Sequence, residues 1–283
     1  MNYIVSPEWV NNQINTDTDI AIIDVRFSLN EPNEGRELYE KTHIKGAFYL
    51  DLNEDLSSQP QKHGGNHPLP DIDLLATKLG NIGIDHDTTV VFYDNGNDMV
   101  AARAWWLLYF MGHEKTYILD GGITKWQQLG LETTDELPER TKKEFTPHIK
   151  QDEIVNMEAV KNRQKNKSIL IDARANERYL GKTEPLYNKA GHIPGAKNYF
   201  WKNVYEEDGS WKQPEKLRQE LQQFLNEDVQ EIVVSCGSGV SACPNIVALK
   251  MAGIDNVKLY PGSFSDWISY PENKLETKDE TFD

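Results

Sequence analysis

One order of landmarks runs through the chain twice. Asp24-Val25-Arg26 closes a β-rich run and returns as Asp172-Ala173-Arg174. His43-Ile44-Lys45-Gly46-Ala47 returns as His192-Ile193-Pro194-Gly195-Ala196. Val90-Val91-Phe92 returns as Ile232-Val233-Val234, Tyr117-Ile118-Leu119-Asp120-Gly121-Gly122 as Lys258-Leu259-Tyr260-Pro261-Gly262-Ser263, and Trp126 as Trp267. The offsets run from 141 to 149 residues and the order never changes. An internal repeat of this kind means two copies of one folding unit. Within each copy short β-branched runs alternate with helical stretches, which predicts an α/β fold: a mostly parallel sheet with helices on both faces.

In the first copy, strands are expected over residues 20–25, 48–50, 89–93 and 116–119, and helices over 71–79, 99–111 and 123–129. Ser6-Pro7-Glu8 has the form of a helix start, with a serine cap and proline in the first turn. Residues 51–70, rich in Asp, Ser, Gln, Gly, His and Pro, are expected to form a long loop. Residues 132–150 are charged, hold two prolines and show little periodicity, as a linker between the copies would. The expected division is therefore residues 1–131, a linker over 132–150, and residues 151–283.

The chemistry concentrates in the second copy, over residues 232–242. A buried strand breaks into Cys236-Gly237-Ser238-Gly239, and a helix is expected from about Ala242 to Ala252. The carboxyl end of a strand, where a turn feeds a helix, is where α/β sheets place their sites. Backbone N–H groups and the helix dipole favour negative charge there. A cysteine at that position is expected to have a lowered pKa and to act as a nucleophile. Aligning the repeats sets Asp94 opposite Cys236. A carboxylate cannot do thiol chemistry, so one active site is expected, in the second copy. The first copy is expected to be structural or to shape the substrate pocket.

Composition removes several classes of function. The 283 residues carry a formal net charge of −15, which argues against nucleic acid or an anionic membrane as partner. No apolar run approaches the ~20 residues that span a bilayer. The N-terminus has no basic region followed by an apolar core, so no signal peptide is expected. Two cysteines make no disulfide framework. A cytoplasmic, reducing location follows as an expectation. His63 and His67 are four residues apart but sit in a Gly/Pro-rich stretch with no obvious third ligand, so no metal site is expected, and no cofactor motif appears.

These residues together resemble the tandem-domain rhodanese sulfurtransferases, over nearly the whole chain. The loop Cys236-Gly237-Ser238-Gly239-Val240-Ser241-Ala242 is one Ser/Thr step from that typical of the 3-mercaptopyruvate branch. Thiosulfate-preferring relatives usually carry basic residues in this loop, and this one has none. The resemblance implies two rhodanese-like domains and a ping-pong sulfur transfer. Cys236 would take a sulfane sulfur from 3-mercaptopyruvate as a persulfide and pass it to a thiol such as thioredoxin, a small thiol, or cyanide. The N–H groups of Gly237, Ser238, Gly239, Val240, Ser241 and Ala242 would hold the anionic sulfur.

Other residues follow from the same resemblance. Arg178, six residues after Asp172, matches the arginine that holds the donor's carboxylate or sulfonate. Ser238 matches a serine that assists proton transfer or polarises the donor. His67 matches the histidine of a triad with that serine, while Asn53 stands at the triad's aspartate position with Asp51 and Asp55 nearby. A second arginine, usual before the His-Ile-Pro-Gly-Ala run, is absent. Lys189 could supply its charge but not its two-pronged geometry. Arg174 is expected to tie strand ends together, His43 and His192 to anchor loops, and Cys243 to be a small core residue.

Two rivals differ in chemistry. A cysteine phosphatase needs Cys-x5-Arg to grip phosphate, but Ala242 stands six residues after Cys236. A non-catalytic sulfur carrier or binding module would share the fold but show no turnover. Thiosulfate:cyanide sulfur transfer is the alternative within the same mechanism. A monomer is expected, since the two copies already supply each other with an interface.

Overall fold

The structure is a computed structural model that describes residues 2–16, 18–225 and 229–277. The first repeat builds a five-stranded parallel sheet from β1 (Ile4–Val5), β2 (Ile20–Asp24), β4 (Ala47–Tyr49), β5 (Thr89–Tyr93) and β6 (Thr116–Leu119), in the order β1-β6-β5-β2-β4. The second builds a four-stranded parallel sheet from β8 (Ser168–Asp172), β9 (Lys197–Asn198), β10 (Glu231–Ser235) and β11 (Val257–Leu259), in the order β11-β10-β8-β9. In both, the strand that precedes the Cys236 or Asp94 loop is an inner strand and pairs with the Asp-x-Arg strand: Asp24 lies opposite Tyr93 and Asp172 opposite Ser235.

Each central strand is apolar on both sides because both faces are covered. Ala21, Ile23, Val90 and Phe92 point into one core, and Ile22, Val91 and Tyr93 into another with Val10, Ile123 and Trp126. In the second repeat Leu170, Val233, Phe264 and Trp267 make the outer core. The remaining core runs continuously through both repeats. It joins α4 (Val100–Phe110), with its Trp105 and Trp106, to α9 (Cys243–Met251), with Ile246, Val247 and Leu249. These corresponding helices pack on each other, so the two sheets share one hydrophobic interior.

The other helices of the first repeat are α1 (Pro7–Ile14), α2 (Glu34–Lys41), α3 (Ile72–Asn81) and α5 (Gly122–Gln128). Those of the second are α6 (Met157–Lys161), α7 (Asn176–Tyr179), α8 (Pro214–Leu221) and α10 (Ser263–Trp267). Ser6 caps α1 by accepting from the Trp9 N–H, with Pro7 in the first turn. Asp71 lies just outside α3 as its cap, accepting from the N–H groups of Asp73 and Leu74, because a side chain must satisfy those first donors. The stretch between β4 and α3 contains no helix or strand.

The segment expected as a linker is laid along the first repeat. β7 (Thr133–Thr134) pairs antiparallel with β3 (His43–Ile44). Further on, the N–H groups of Lys143, His148 and Lys150 donate to the carbonyls of Gly80, Met111 and Phe110, and Phe145 is buried. Backbone polar groups that leave water must find partners, and these do so on the helix ends of α3 and α4. No helix among the described residues is long and apolar enough to cross a membrane.

The repeat is retained down to single contacts. Arg26 grips Asp24 with its side chain as Arg174 grips Asp172, both pairs being buried. His43 and His192 each place Nδ1 2.7 Å from a backbone carbonyl, of Tyr39 and of Tyr179. Those tyrosines donate to Ala47 and Ala196, and the indoles of Trp126 and Trp267 to Glu132 and Lys274.

Candidate active site

β10 delivers Cys236 to the carboxyl end of the second sheet, where the thiol is buried. Its sulfur accepts the Gly239 N–H at 3.1 Å. For that N–H to turn back on the sulfur, Gly239 takes φ +83°, and a Cβ there would stand 2.3 Å from the Pro261 carbonyl oxygen. Both facts require glycine. The carbonyls of Cys236 and Gly237 accept from the N–H groups of Phe264 and Ser265, pinning the loop to α10. Loop residues Val240 and Ala242 are buried and Ser241 is half-buried. α9 then starts at Cys243 without a side-chain cap.

Ser263 completes the seat of the cysteine. Its hydroxyl accepts the Cys236 N–H at 3.0 Å, donates to the Tyr260 carbonyl and lies 4.0 Å from the sulfur. Ser263 holds φ +52°, a conformation uncommon outside glycine. Its counterpart Gly122 holds φ +55°, and a Cβ there would stand 2.4 Å from the Gly96 nitrogen. The second repeat thus accommodates a strained side chain where the first cannot, and that side chain touches the cysteine. Strain of this kind is common at functional sites. Reading the sequence missed Ser263, although the Gly-to-Ser change between repeats was visible.

Arg178 is drawn to Glu184, whose two carboxylate oxygens accept from its Nε at 3.2 Å and its Nη2 at 2.8 Å. Glu184 also pairs with Arg174 at 3.3 Å. Arg174 joins Asp172, Glu184 and the Gly191 carbonyl, and its guanidinium stacks 3.9 Å above the Phe264 ring. Lys189 donates to the Ile268 carbonyl at 3.0 Å. The cations expected for a donor's carboxylate are therefore each held by the protein itself. Tyr187, which the sequence did not single out, covers the loop, its hydroxyl 2.7 Å from where a Gly237 Cβ would stand. Burial, and then the charge of the Cys236 sulfur, raise that hydroxyl's pKa.

His67 reaches this site from the first repeat. Its Nδ1 lies 2.7 Å from the Ser238 Oγ. The loop before it is stitched to α10: the Gly64 and Asn66 N–H groups donate to Asp266 and Ser265, and a Cβ on Gly65 would strike the Gly262 carbonyl. His63 stacks on Tyr270 and lies 2.7 Å from the Ser269 hydroxyl. The aspartate of a triad is not present among the described residues. Asp51 accepts from the N–H groups of Asn53 and Glu54, and Asp55 pairs with Lys78. Burial, and then Arg103, lower His67 to a pKa of about 4.

Asp94 sits at the matching point of the first repeat. Its carboxylate accepts from the N–H groups of Gly96 and Ala101, both at 2.9 Å. The first loop thus still offers amides to an anion, but its own side chain fills them. Burial, and then Asp98, push Asp94 up to about 7. Cys243 donates to the Gly239 carbonyl at 3.4 Å, and burial pushes its thiol up to about 12. Among the described residues no group of three or more His, Cys, Asp or Glu side chains could hold a metal ion.

The Rhodanese-like domain family matches this chain twice, over residues 6–129 and 156–270. A curated relative from Pseudomonas aeruginosa, a probable 3-mercaptopyruvate sulfurtransferase, is 38% identical over 269 residues, 93% of this chain and 94% of its own. The chain belongs to the rhodanese family of sulfurtransferases. A second rhodanese-family relative, the thiosulfate sulfurtransferase of Cricetulus griseus, is 31% identical over 286 residues, 96% of this chain and 94% of its own. The crystal structure of the 3-mercaptopyruvate sulfotransferase SseA from Escherichia coli superposes with a TM-score of 0.82 at 32% identity, covering 94% of this chain and all of that one. Relatives carrying both donor names thus lie at comparable distance, and the rhodanese fold alone does not choose between them.

Proposed function

We propose that this enzyme transfers the thiol sulfur of 3-mercaptopyruvate, as sulfane sulfur, through a persulfide on Cys236. The Cys236 thiolate attacks the donor sulfur. The carbon–sulfur bond breaks and its electron pair leaves on carbon as the enolate, which a proton converts to pyruvate. A thiolate acceptor, of thioredoxin or of a small thiol, or cyanide, then attacks the outer sulfur. The sulfur–sulfur bond breaks and Cys236 departs as a thiolate, ready for the next cycle.

The observation that carries this reading is the Gly239 N–H aimed at the sulfur from a loop with no basic side chain. Such a loop suits a singly charged sulfur held by amides, and lacks the cations the thiosulfate dianion would draw. Ser238 and His67 form a pair in which a neutral imidazole can take the hydroxyl proton, polarising the donor. Arg178 is assigned to the donor's carboxylate, on condition that Glu184 yields it. The proposed division is two rhodanese-like domains, residues 1–131 and 151–283, joined by 132–150, acting as a cytoplasmic monomer.

Thiosulfate is the alternative donor in the same mechanism. With Arg178 held by Glu184 and Lys189 turned to Ile268, neither the carboxylate of mercaptopyruvate nor the sulfonate end of thiosulfate meets a free cation. Comparing kcat/KM for the two donors decides. A ratio favouring mercaptopyruvate supports the proposal, and one strongly favouring thiosulfate replaces the donor while keeping the mechanism. No turnover with either would leave a sulfur-binding module.

A further inference from the structure

We infer that Arg103, a residue of the repeat that has no thiol, positions the Cys236 loop and supplies its counter-charge. Arg103 lies on α4 and is fully buried. Its Nη1 donates across the domain boundary to the Gly239 carbonyl at 3.2 Å. Its Nη2 donates to the carbonyls of Leu56 and His67 at 3.3 and 3.4 Å. One guanidinium therefore joins three backbone points: two in the loop that brings His67, and one in the loop that holds the sulfur. Gly239 is the joint between cation and sulfur, its carbonyl accepting from Arg103 while its N–H donates to Cys236.

What Arg103 lacks is an anion. Its hydrogen bonds go to three neutral carbonyls and its side chain meets the Cys243 thiol, while no carboxylate pairs with it among the described residues. An arginine stays protonated, and a buried cation without a counter-charge is strongly destabilising. The groups that face it are the Trp106 ring, His67, Cys243 and Cys236. Of these, His67 brings no negative charge and Cys243 is a buried thiol already donating to Gly239. The sulfur left to carry the missing negative charge is that of Cys236, joined to Arg103 through Gly239. Around that sulfur stand Arg174, already committed to Asp172 and Glu184, together with Tyr187 and Ser263. The one cation of α9 is Lys250, in its last turn and paired with Glu153, so the second repeat does not supply this charge from its own helix.

The consequence for turnover rests on the sulfur-transfer reading, but the ionisation of Cys236 does not, and the experiment uses the latter. Thiolate ultraviolet absorbance is followed against pH in a Cys243→Ala background, with the Cys236→Ser protein subtracted. Arg103→Gln should move the half-ionisation point upward, lowering the thiolate fraction at neutral pH about tenfold. Arg103→Lys keeps the charge but cannot reach three carbonyls. It should keep the native half-ionisation point while kcat falls several-fold. A folded Arg103→Gln protein with the native titration overturns the inference. Should that variant not fold, an upward shift in Arg103→Lys, where the charge is kept, overturns it equally. Absence of turnover by the native enzyme with both donors would instead sink the sulfur-transfer reading and leave the titration result standing.

Discussion

His67 of the first repeat and Ser238 of the second meet at 2.7 Å, Nδ1 to Oγ, across the join between the two domains. The repeat without the thiol therefore reaches the cysteine loop of the repeat that has it.

His67 and Asp94 should make opposite contributions to stability as pH changes. The unfolded chain protonates a histidine below about 6.5, but folded His67 takes a proton only below about 4. Between those values the folded state binds fewer protons, so stability rises with pH. Asp94 titrates near 7 when folded, against an ordinary value of 3.8. There the folded state binds more protons, and stability falls as pH rises. Denaturant unfolding from pH 4.5 to 8 should show His67→Asn losing up to about 1.4 kcal/mol per pH unit of the native slope at acid pH. Asp94→Asn should gain on the native protein as pH rises towards 8. Slopes of the same sign for the two substitutions would contradict the assignment of whichever residue shows the wrong sign.

Gly239→Ala should damage chemistry and stability together. The positive φ and the close Pro261 carbonyl leave a methyl group no room, so a loss above about 1 kcal/mol is expected. Withdrawing the N–H from the sulfur should lower kcat about a hundredfold. Gly130→Ala is the comparison: φ is +68° but nothing stands within 4 Å of a Cβ. It should cost stability and leave kcat unchanged. Equal kcat for both variants would show that the Gly239 N–H does not act on the sulfur.

Glu184 is expected to compete with a donor's carboxylate for Arg178. Arg178→Lys should raise KM for mercaptopyruvate several-fold more than KM for thiosulfate, because only the former needs a two-pronged carboxylate partner. Glu184→Gln should lower KM for mercaptopyruvate while destabilising the protein by about 3 kcal/mol, since it leaves Arg174 short of a buried partner. If Arg178→Lys shifts both KM values alike, Arg178 does not distinguish the donors.

Cys243 should be a bystander. Its thiol, at about 12, is un-ionised near neutrality. After exposure to donor, mass spectrometry should find one added sulfur atom, on Cys236. Cys243→Ala should keep turnover within about threefold, and Cys236→Ser should have none. Turnover surviving in Cys236→Ser would end the persulfide mechanism.

The repeat was legible because Asp-x-Arg, His-Ile-x-Gly-Ala and Trp recur in one order, and the parallel sheets because a sheet covered on two faces imposes apolar runs. So was Cys236 at a strand end, since β-branched residues followed by Cys-Gly-x-Gly allow little else. The grip of Glu184 on Arg178 was not. Six residues apart, Arg178 in the one-turn α7 and Glu184 in the irregular stretch after it, the two acquire a relative position only once the backbone is fixed. The β3–β7 pair escaped for a similar reason: two residues each carry no periodicity, and their pairing depends on the path of distant chain. Arg103 left a fainter signal, a single cation inside the apolar stretch of α4. Its role emerges only where α4 meets the second repeat.

That meeting of α4 with α9 gives the chain the plan of a symmetric dimer whose two subunits have been fused end to end. In a true dimer of identical subunits every substitution appears twice, so a site cannot keep a thiol in one half and discard it in the other. Fusion removes that constraint. One half could trade its cysteine for a carboxylate while still contributing His67 and Arg103 to its neighbour. The division of labour between the halves is thus a form of asymmetry closed to a dimer of identical subunits.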